Sequence, residues 1–182
     1  MYIAKIISGG QTGADRGGLE AAIHCSLPHS GWCPKGRKAE NGRIPDKYIL
    51  TEMTTSDYLA RTKANVIDSD ATLIFTYDKM SGGSMKTMEF CKKYKKPVLH
   101  ISINNYNRQE IVDLVAKWFN GNVSKPAPPD NCVLNIAGTR ESKAFGIEQM
   151  VMVLMVDIIS VVNGKLFYPL GLNDDIEKWI IR

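Results

Sequence analysis

Short apolar runs alternate with longer stretches whose apolar residues return every three or four positions, and this rhythm persists to about residue 162. The short runs predict strands over residues 2–8, 71–76, 97–102 and 131–136, with a weaker one near 29–33. Each is apolar nearly throughout, as strands covered on both faces are. The amphipathic stretches predict helices over 17–26, 56–67, 84–95, 107–119 and 142–162. In the fourth, Ile111, Val115, Trp118 and Phe119 recur at helical spacing, so the aromatic pair reads as core packing. Strand and helix in alternation predict a doubly wound α/β architecture, a mostly parallel sheet with helices on both faces. The apolar run Met150–Val162 is shorter than the ~20 residues a bilayer span needs, and it carries Asp157, so it predicts a buried helix.

The 182 residues fit one domain, with a core over 1–162 and a C-terminal extension over 163–182. A hydrophobic share of 44% and a charged share of 23% are those of a soluble globular protein. The formal charge of +4 is mild, and its densest cluster, Lys92-Lys93-Tyr94-Lys95-Lys96, falls where a helix ends and complements the helix dipole. Basic and aromatic residues do not interleave, so nucleic acid is not the expected partner. Cys25, Cys33, Cys91 and Cys132 lie at wide, irregular spacings, which predicts no metal site. Free thiols and the lack of an export signal predict a cytoplasmic protein. The longest irregular piece, residues 34–47, is polar and basic, and a loop of that length inside a compact domain is commonly functional. Beyond the core, Leu166-Phe167-Tyr168-Pro169-Leu170 and a short helix from Asp174 are expected to cover this domain or a neighbouring subunit.

Three stretches place glycine or small polar residues after a strand and before a helix. The first is Ser8-Gly9-Gly10-Gln11-Thr12-Gly13-Ala14-Asp15-Arg16-Gly17-Gly18. Glycines permit positive φ and let an anion approach the main chain, while unpaired N–H groups of the first helical turn point at it. Neither the G-x-x-x-x-G-K-[ST] nor the G-x-G-x-x-G pattern is present, so the loop is a phosphate cradle of another kind. Asp15 suits either a helix cap or a ligand contact, and Arg16 an anion. The second stretch, Asp78 to Glu89, carries Gly82 and Gly83, with Ser84 as a helix cap and Thr87 and Glu89 in the first turns. The third, Asn135 to Ser142, brings Gly138, Arg140 and Glu141 to the same edge. Ligands of doubly wound sheets bind at the carboxyl ends of strands, so the loops are expected to share one crevice.

The segments Ser8–Ala22, Gly31-Trp32-Cys33-Pro34-Lys35-Gly36-Arg37-Lys38-Ala39-Glu40 with Gly42 and Ile44-Pro45, Arg61-Thr62-x-x-Asn65-Val66, Asp68–Thr72, Gly82-Gly83-Ser84 and Ala137-Gly138-x-Arg140-Glu141-Ser142 closely resemble the molybdenum cofactor carrier protein family. That family is similar to the lysine-decarboxylase-like, or LOG, Rossmann group. The resemblance implies a Rossmann-like sheet, a homo-dimer or homo-tetramer, and an anionic small-molecule ligand, with the molybdenum cofactor (molybdopterin) as candidate. It adds Arg61 and Asn65 to the expected site, beside Gly9, Gly10, Gln11, Thr12 and Gly13. Thr139 stands where proline is usual and Ser84 where threonine is. Lys35, Arg37, Lys38 and Arg43 are then expected to close over a phosphate or molybdate, with solubility the competing explanation. For Cys33, packing beside Trp32 outweighs contact with molybdenum. The competing functions are a nucleoside-phosphate hydrolase using Glu89 or Glu141 as base, and a sensor of a nucleotide-derived signal. The phosphoribohydrolase signature is only partly echoed by Ser81-Gly82-Gly83 and Glu89.

Overall fold

The computed structural model describes residues 2–123 and 131–166. The extension from Phe167, including the helix expected from Asp174, lies outside the described residues. In chain order the elements are strand β1 (Tyr2–Ile7), helix α1 (Ala14–His24), β2 (His29–Ser30), β3 (Trp32–Cys33), β4 (Lys38–Ala39), β5 (Gly42–Arg43), β6 (Thr51–Glu52), α2 (Tyr58–Ile67), β7 (Ala71–Thr76), α3 (Gly82–Lys93), β8 (Val98–Ser102), α4 (Arg108–Asn122), β9 (Asn131–Gly138) and α5 (Ile147–Asn163).

Five of the strands pair side by side in the order β2-β1-β9-β7-β8, and every pairing is parallel. Side chains alternate across this sheet. Leu73, Phe75, Leu134 and Ile136 enter the main core with Ile111, Val115 and Phe119 of α4 and Val151, Leu154 and Ile158 of α5. Helices α1, α4 and α5 pack together over that face, whereas α2 and α3 pack together over the other. The second face is more polar. Asn135 Nδ2 donates to Thr72 Oγ1 across β9 and β7, and both residues are buried. The doubly wound, mostly parallel architecture read from the sequence is therefore the one observed.

Position of the last strand is what the local rhythm cannot give. β9 sits in the middle of the sheet, between β1 and β7. Counted from β7 as the first strand, β8 is second, β9 third, β1 fourth and β2 fifth, so the sheet reads 2-1-3-4-5, the flavodoxin-like order. The chain is opened between α5 and β1. Asn163 at the end of α5 accepts from Ile3 N at 2.8 Å and donates to Ile3 O at 3.0 Å, pinning the two ends together. Because β2 pairs only with Ile6 and Ile7, this amide serves the start of β1 as a substitute neighbouring strand.

The remaining differences from the sequence expectations have local causes. The weak strand near 29–33 is two strands: His29–Ser30 joins the main sheet and Trp32–Cys33 pairs with Thr51–Glu52. Gly31 between them has φ +140°, and a Cβ there would lie 2.0 Å from Ser8 O, so only glycine permits the crossing. The irregular piece 34–47 contains the β4–β5 hairpin. α5 begins later than expected because Glu141–Lys143 forms a 3-10 turn and Gly146, with φ +80°, precedes the helix.

Candidate functional site

Loops 8–13, 139–146 and 77–81 leave the carboxyl ends of the adjacent strands β1, β9 and β7 for α1, α5 and α3. Two of them interlock. Ala14 N donates to Thr139 O at 3.1 Å, and a Cβ on Gly13 would fall 2.4 Å from that oxygen. The third joins through Thr139 N donating to Phe75 O at 3.0 Å and Tyr77 Oη donating to Phe145 O at 3.0 Å. β7 and β9 leave the sheet for helices on opposite faces, the switch point at which ligands enter such sheets.

The amides of the first loop are mostly taken by the protein itself. Gln11 N donates to Asp15 Oδ2 at 3.3 Å, Thr12 N to Gln11 Oε1 at 3.0 Å and Gly13 N to Glu148 Oε2 at 3.1 Å. The open cradle expected at the start of α1 is thus occupied by the side-chain oxygens of Gln11, Asp15 and Glu148, and Gly9 and Gly10 are the loop amides with no acceptor among the described residues. Asp15 does not cap α1, whose N-cap is Gly13. It folds the loop back on itself and pairs with Arg61 Nη1 at 3.0 Å. Burial pushes its carboxyl above the usual range, and the charge of Arg61, with a smaller pull from Arg140, works against that. Burial likewise raises Glu148.

Arg61 lies against Gly9. A Cβ on Gly9 would sit 1.5 Å from Arg61 Nη1, so glycine is what allows the guanidinium to reach Asp15. Its Nε is buried with no hydrogen-bond partner, as is Gln11 Nε2. Arg140 is exposed, stands 5.5 Å from the centroid of the Tyr58 ring, and makes no hydrogen bond through its side chain among the described residues. Tyr58 and Arg61 are one turn apart on α2, so the two guanidinium groups flank the same edge of the rim.

Several expected site residues are engaged elsewhere. Arg16 donates to Gly10 O at 3.2 Å and Asn41 Oδ1 at 3.0 Å, which fixes the hairpin to the loop. Arg37 is buried and donates to four main-chain carbonyls, Ile44, Pro45, Tyr48 and Leu50. It organises its own loop. Arg43 pairs with Asp46 at 2.8 Å, while Lys35 and Lys38 are exposed. Asn65 accepts from Trp32 N and donates to Trp32 O. Ser84 is the third residue of α3, not its cap, which is Ser81, and Thr87 Oγ1 donates to Gly83 O. Gly82 and Gly83 are exposed with open space where a Cβ would be. Gly138 is required by packing, since a Cβ would meet Phe75 O at 2.0 Å.

Each expected base has a protein partner. Glu89 is exposed and pairs with Lys86 at 2.7 Å. Glu141 accepts from Gly146 N and from Glu148 N at 3.0 Å, capping the start of α5. Cys33 is fully buried and its thiol is pushed up by that burial, which suits packing and not a metal. Among the described residues no cluster of His, Cys, Asp or Glu could hold a metal ion.

Two contributors escaped the sequence reading. Glu148 reaches Gly13 from 135 positions away, and no spacing signals such a contact. Glu40 accepts from Thr12 Oγ1, from Ser142 N at 3.1 Å and from Ser142 Oγ at 2.6 Å. The Asn41-Gly42 dipeptide beside it was a legible hairpin signal.

A parallel sheet wound 2-1-3-4-5, opened between α5 and β1 and carrying a loop rim at its carboxyl edge, defines a circularly permuted Rossmann-type α/β protein. The chain belongs to the circularly permutated YpsA SLOG family, which matches residues 6–159. It is similar to the crystal structure of a protein from Syntrophus aciditrophicus described as a "putative molybdenum carrier protein", at 45% identity and a TM-score of 0.78, over 86% of this chain and 94% of that one. No curated protein matches the chain.

Proposed function

We propose that this protein is a carrier that binds an anionic small molecule joining a phosphate to a planar heterocycle, with the molybdenum cofactor as the candidate ligand. The observation that carries the reading is a pair of arginines at the switch-point edge with donor capacity left over: Arg61 Nε, buried without an acceptor, and the exposed guanidinium of Arg140. The name of the structural relative supports the same ligand class. Arg61 and Arg140, with the amides of Gly9, Gly10, Gly82 and Gly83, would receive the phosphate, and the Tyr58 ring offers a face for stacking. The bound cofactor would keep its own metal chemistry, and the protein's residues would supply charge and orientation alone. With Glu89 and Glu141 both engaged elsewhere, the hydrolase reading has no free base among its candidates.

Calorimetry with molybdopterin, AMP and ADP-ribose tests this. A hydrogen bond to a charged group contributes about 1.5–3 kcal/mol, so Arg140→Ala weakens binding by roughly tenfold or more. Gly9→Ala is expected to do the same, because the new Cβ would displace the guanidinium end of Arg61. Absence of binding to all three ligands, or unchanged affinity in both variants, overturns the proposal.

A further inference from the structure

The side-chain donors of the first and third loops already hold an anion, and it comes from a third place in the chain. Glu40 stands at the tip of the β4–β5 hairpin. Its carboxylate takes the Thr12 hydroxyl, the Ser142 amide and the Ser142 hydroxyl, a donor set drawn from both loops. Hydroxyl and amide donors converging on one pair of oxygens are the groups that receive phosphate oxygens elsewhere. Although desolvation opposes it, hydrogen bonds from Ser142 and Thr12, aided by the charge of Arg140, keep the Glu40 carboxyl below its usual range. The hairpin tip is also held by Arg16 to Asn41 Oδ1 and Glu40 N to Gln11 Oε1, and Ala39 packs against the small core of Leu19, Cys33, Ile44 and Tyr48. Glu40 is itself exposed, so nothing encloses this contact against exchange.

A second observation points to a ligand at the same place. Gln11 is 4% exposed, and its Oε1 is fixed by accepting from Thr12 N and Glu40 N. The other end of that planar amide, Nε2, is buried and without an acceptor among the described residues. A phosphate brings more acceptor positions than the carboxylate it would replace.

We propose that Glu40 is a built-in surrogate for the ligand's phosphate, and that an incoming phosphate displaces it from Thr12 and Ser142, releasing the β4–β5 hairpin. This rests on the phosphate-binding reading above and adds to it a competitor carried by the chain itself. The geometry gives the latch a sign that a merely structural staple lacks, because removing a competitor tightens binding while removing a staple does not.

The test uses the full chain and its Glu40→Gln and Glu40→Ala variants, titrated with AMP and with inorganic phosphate, alongside amide exchange at residues 38–43. If the latched form dominates, apparent affinity is reduced by the open fraction, so both variants bind AMP about tenfold or more tightly than the natural chain. The Glu40 amide exchanges faster in Glu40→Ala without ligand, and faster in the natural chain when AMP is added. Unchanged or weaker AMP binding in both variants, with the natural chain still binding, overturns the latch and leaves the carrier reading standing. If no form binds AMP or phosphate, the latch is refuted, while the carrier reading falls only if molybdopterin and ADP-ribose also fail to bind; unaltered hairpin exchange in Glu40→Ala refutes the latch independently.

Discussion

Arg37 separates an architectural role from a ligand-binding one, because its surroundings give a definite magnitude. The side chain is 7% exposed, and its backbone sits at φ 50°, a region that non-glycine residues enter at a cost. What holds it there is a fan of donors to the carbonyls of Ile44 (3.1 Å), Pro45 (2.9 Å), Tyr48 (2.9 Å) and Leu50 (3.3 Å). Replacement by methionine keeps the apolar stem and removes every donor. Water can reach part of this surface loop, so each carbonyl loses less than a fully buried one, and ~0.75 kcal/mol apiece over four carbonyls gives about 3 kcal/mol in all. For a chain of this size that lowers the melting temperature by about 6–12 °C. Lysine offers one compact ammonium in place of a planar fork, so Arg37→Lys recovers less than half of the loss. Urea denaturation gives the stability, and AMP calorimetry on the folded variant gives the affinity. A stability loss below about 1 kcal/mol, or full stability with AMP binding abolished, would refute the assignment and return Arg37 to the ligand.

Asn163→Ala removes both hydrogen bonds to Ile3 and is expected to cost about 1–3 kcal/mol in urea denaturation; a change within ±0.5 kcal/mol, the range of ordinary surface substitutions, counts against the pinning of α5 to β1. Glu148 has its pKa raised, by burial first and then by Glu141 and Glu20, against the pull of Gly13 N and Arg16. The folded state therefore holds its proton more tightly than the unfolded chain, so the group's stabilisation is complete below the ordinary value of 4.5 and is lost as pH rises through the folded pKa. Glu148→Gln keeps an acceptor for Gly13 N and removes this dependence, so its urea midpoint near pH 7 rises relative to the natural chain; a fall there contradicts the argument.

Much of the fold was legible because its causes are local. β7 and the helices α2 to α4 arise from apolar periodicity and from caps such as Asn107 with Glu110, which lie within a few residues of what they stabilise. The central place of β9 was not legible, since its pairing with β1 joins Tyr2 to Asn131 and leaves no trace in either segment. The site divides along the same line. Glycines needed by the backbone, such as Gly13 and Gly138, were visible as glycines, but their immediate neighbours are carbonyls distant in the chain, those of Thr139 and Phe75. Charged residues show the difference most. Arg16, Arg37 and Glu141 carry the right chemistry for a ligand, and the structure gives each of them main-chain partners that no local pattern signals. Which donors a side chain meets is a long-range fact, and residue type alone does not encode it.

The place where the chain is opened bears on the site as well. The junction of α5 with β1 lies at the amino end of β1, where Asn163 meets Ile3. The loop rim lies at the other end of the same strand, beyond Ile7. A strand advances about 3.3 Å per residue, so the six residues of β1 put some 15–20 Å between the two. Moving the termini to this junction changes the order in which strands are synthesised and leaves each strand, its loop and the following helix as an intact unit. Ala14 still meets Thr139, and Thr139 still meets Phe75. A rim built from strand-to-helix units therefore tolerates permutation at the opposite edge, and a phosphate site can persist through a rearrangement that disguises the fold in the sequence.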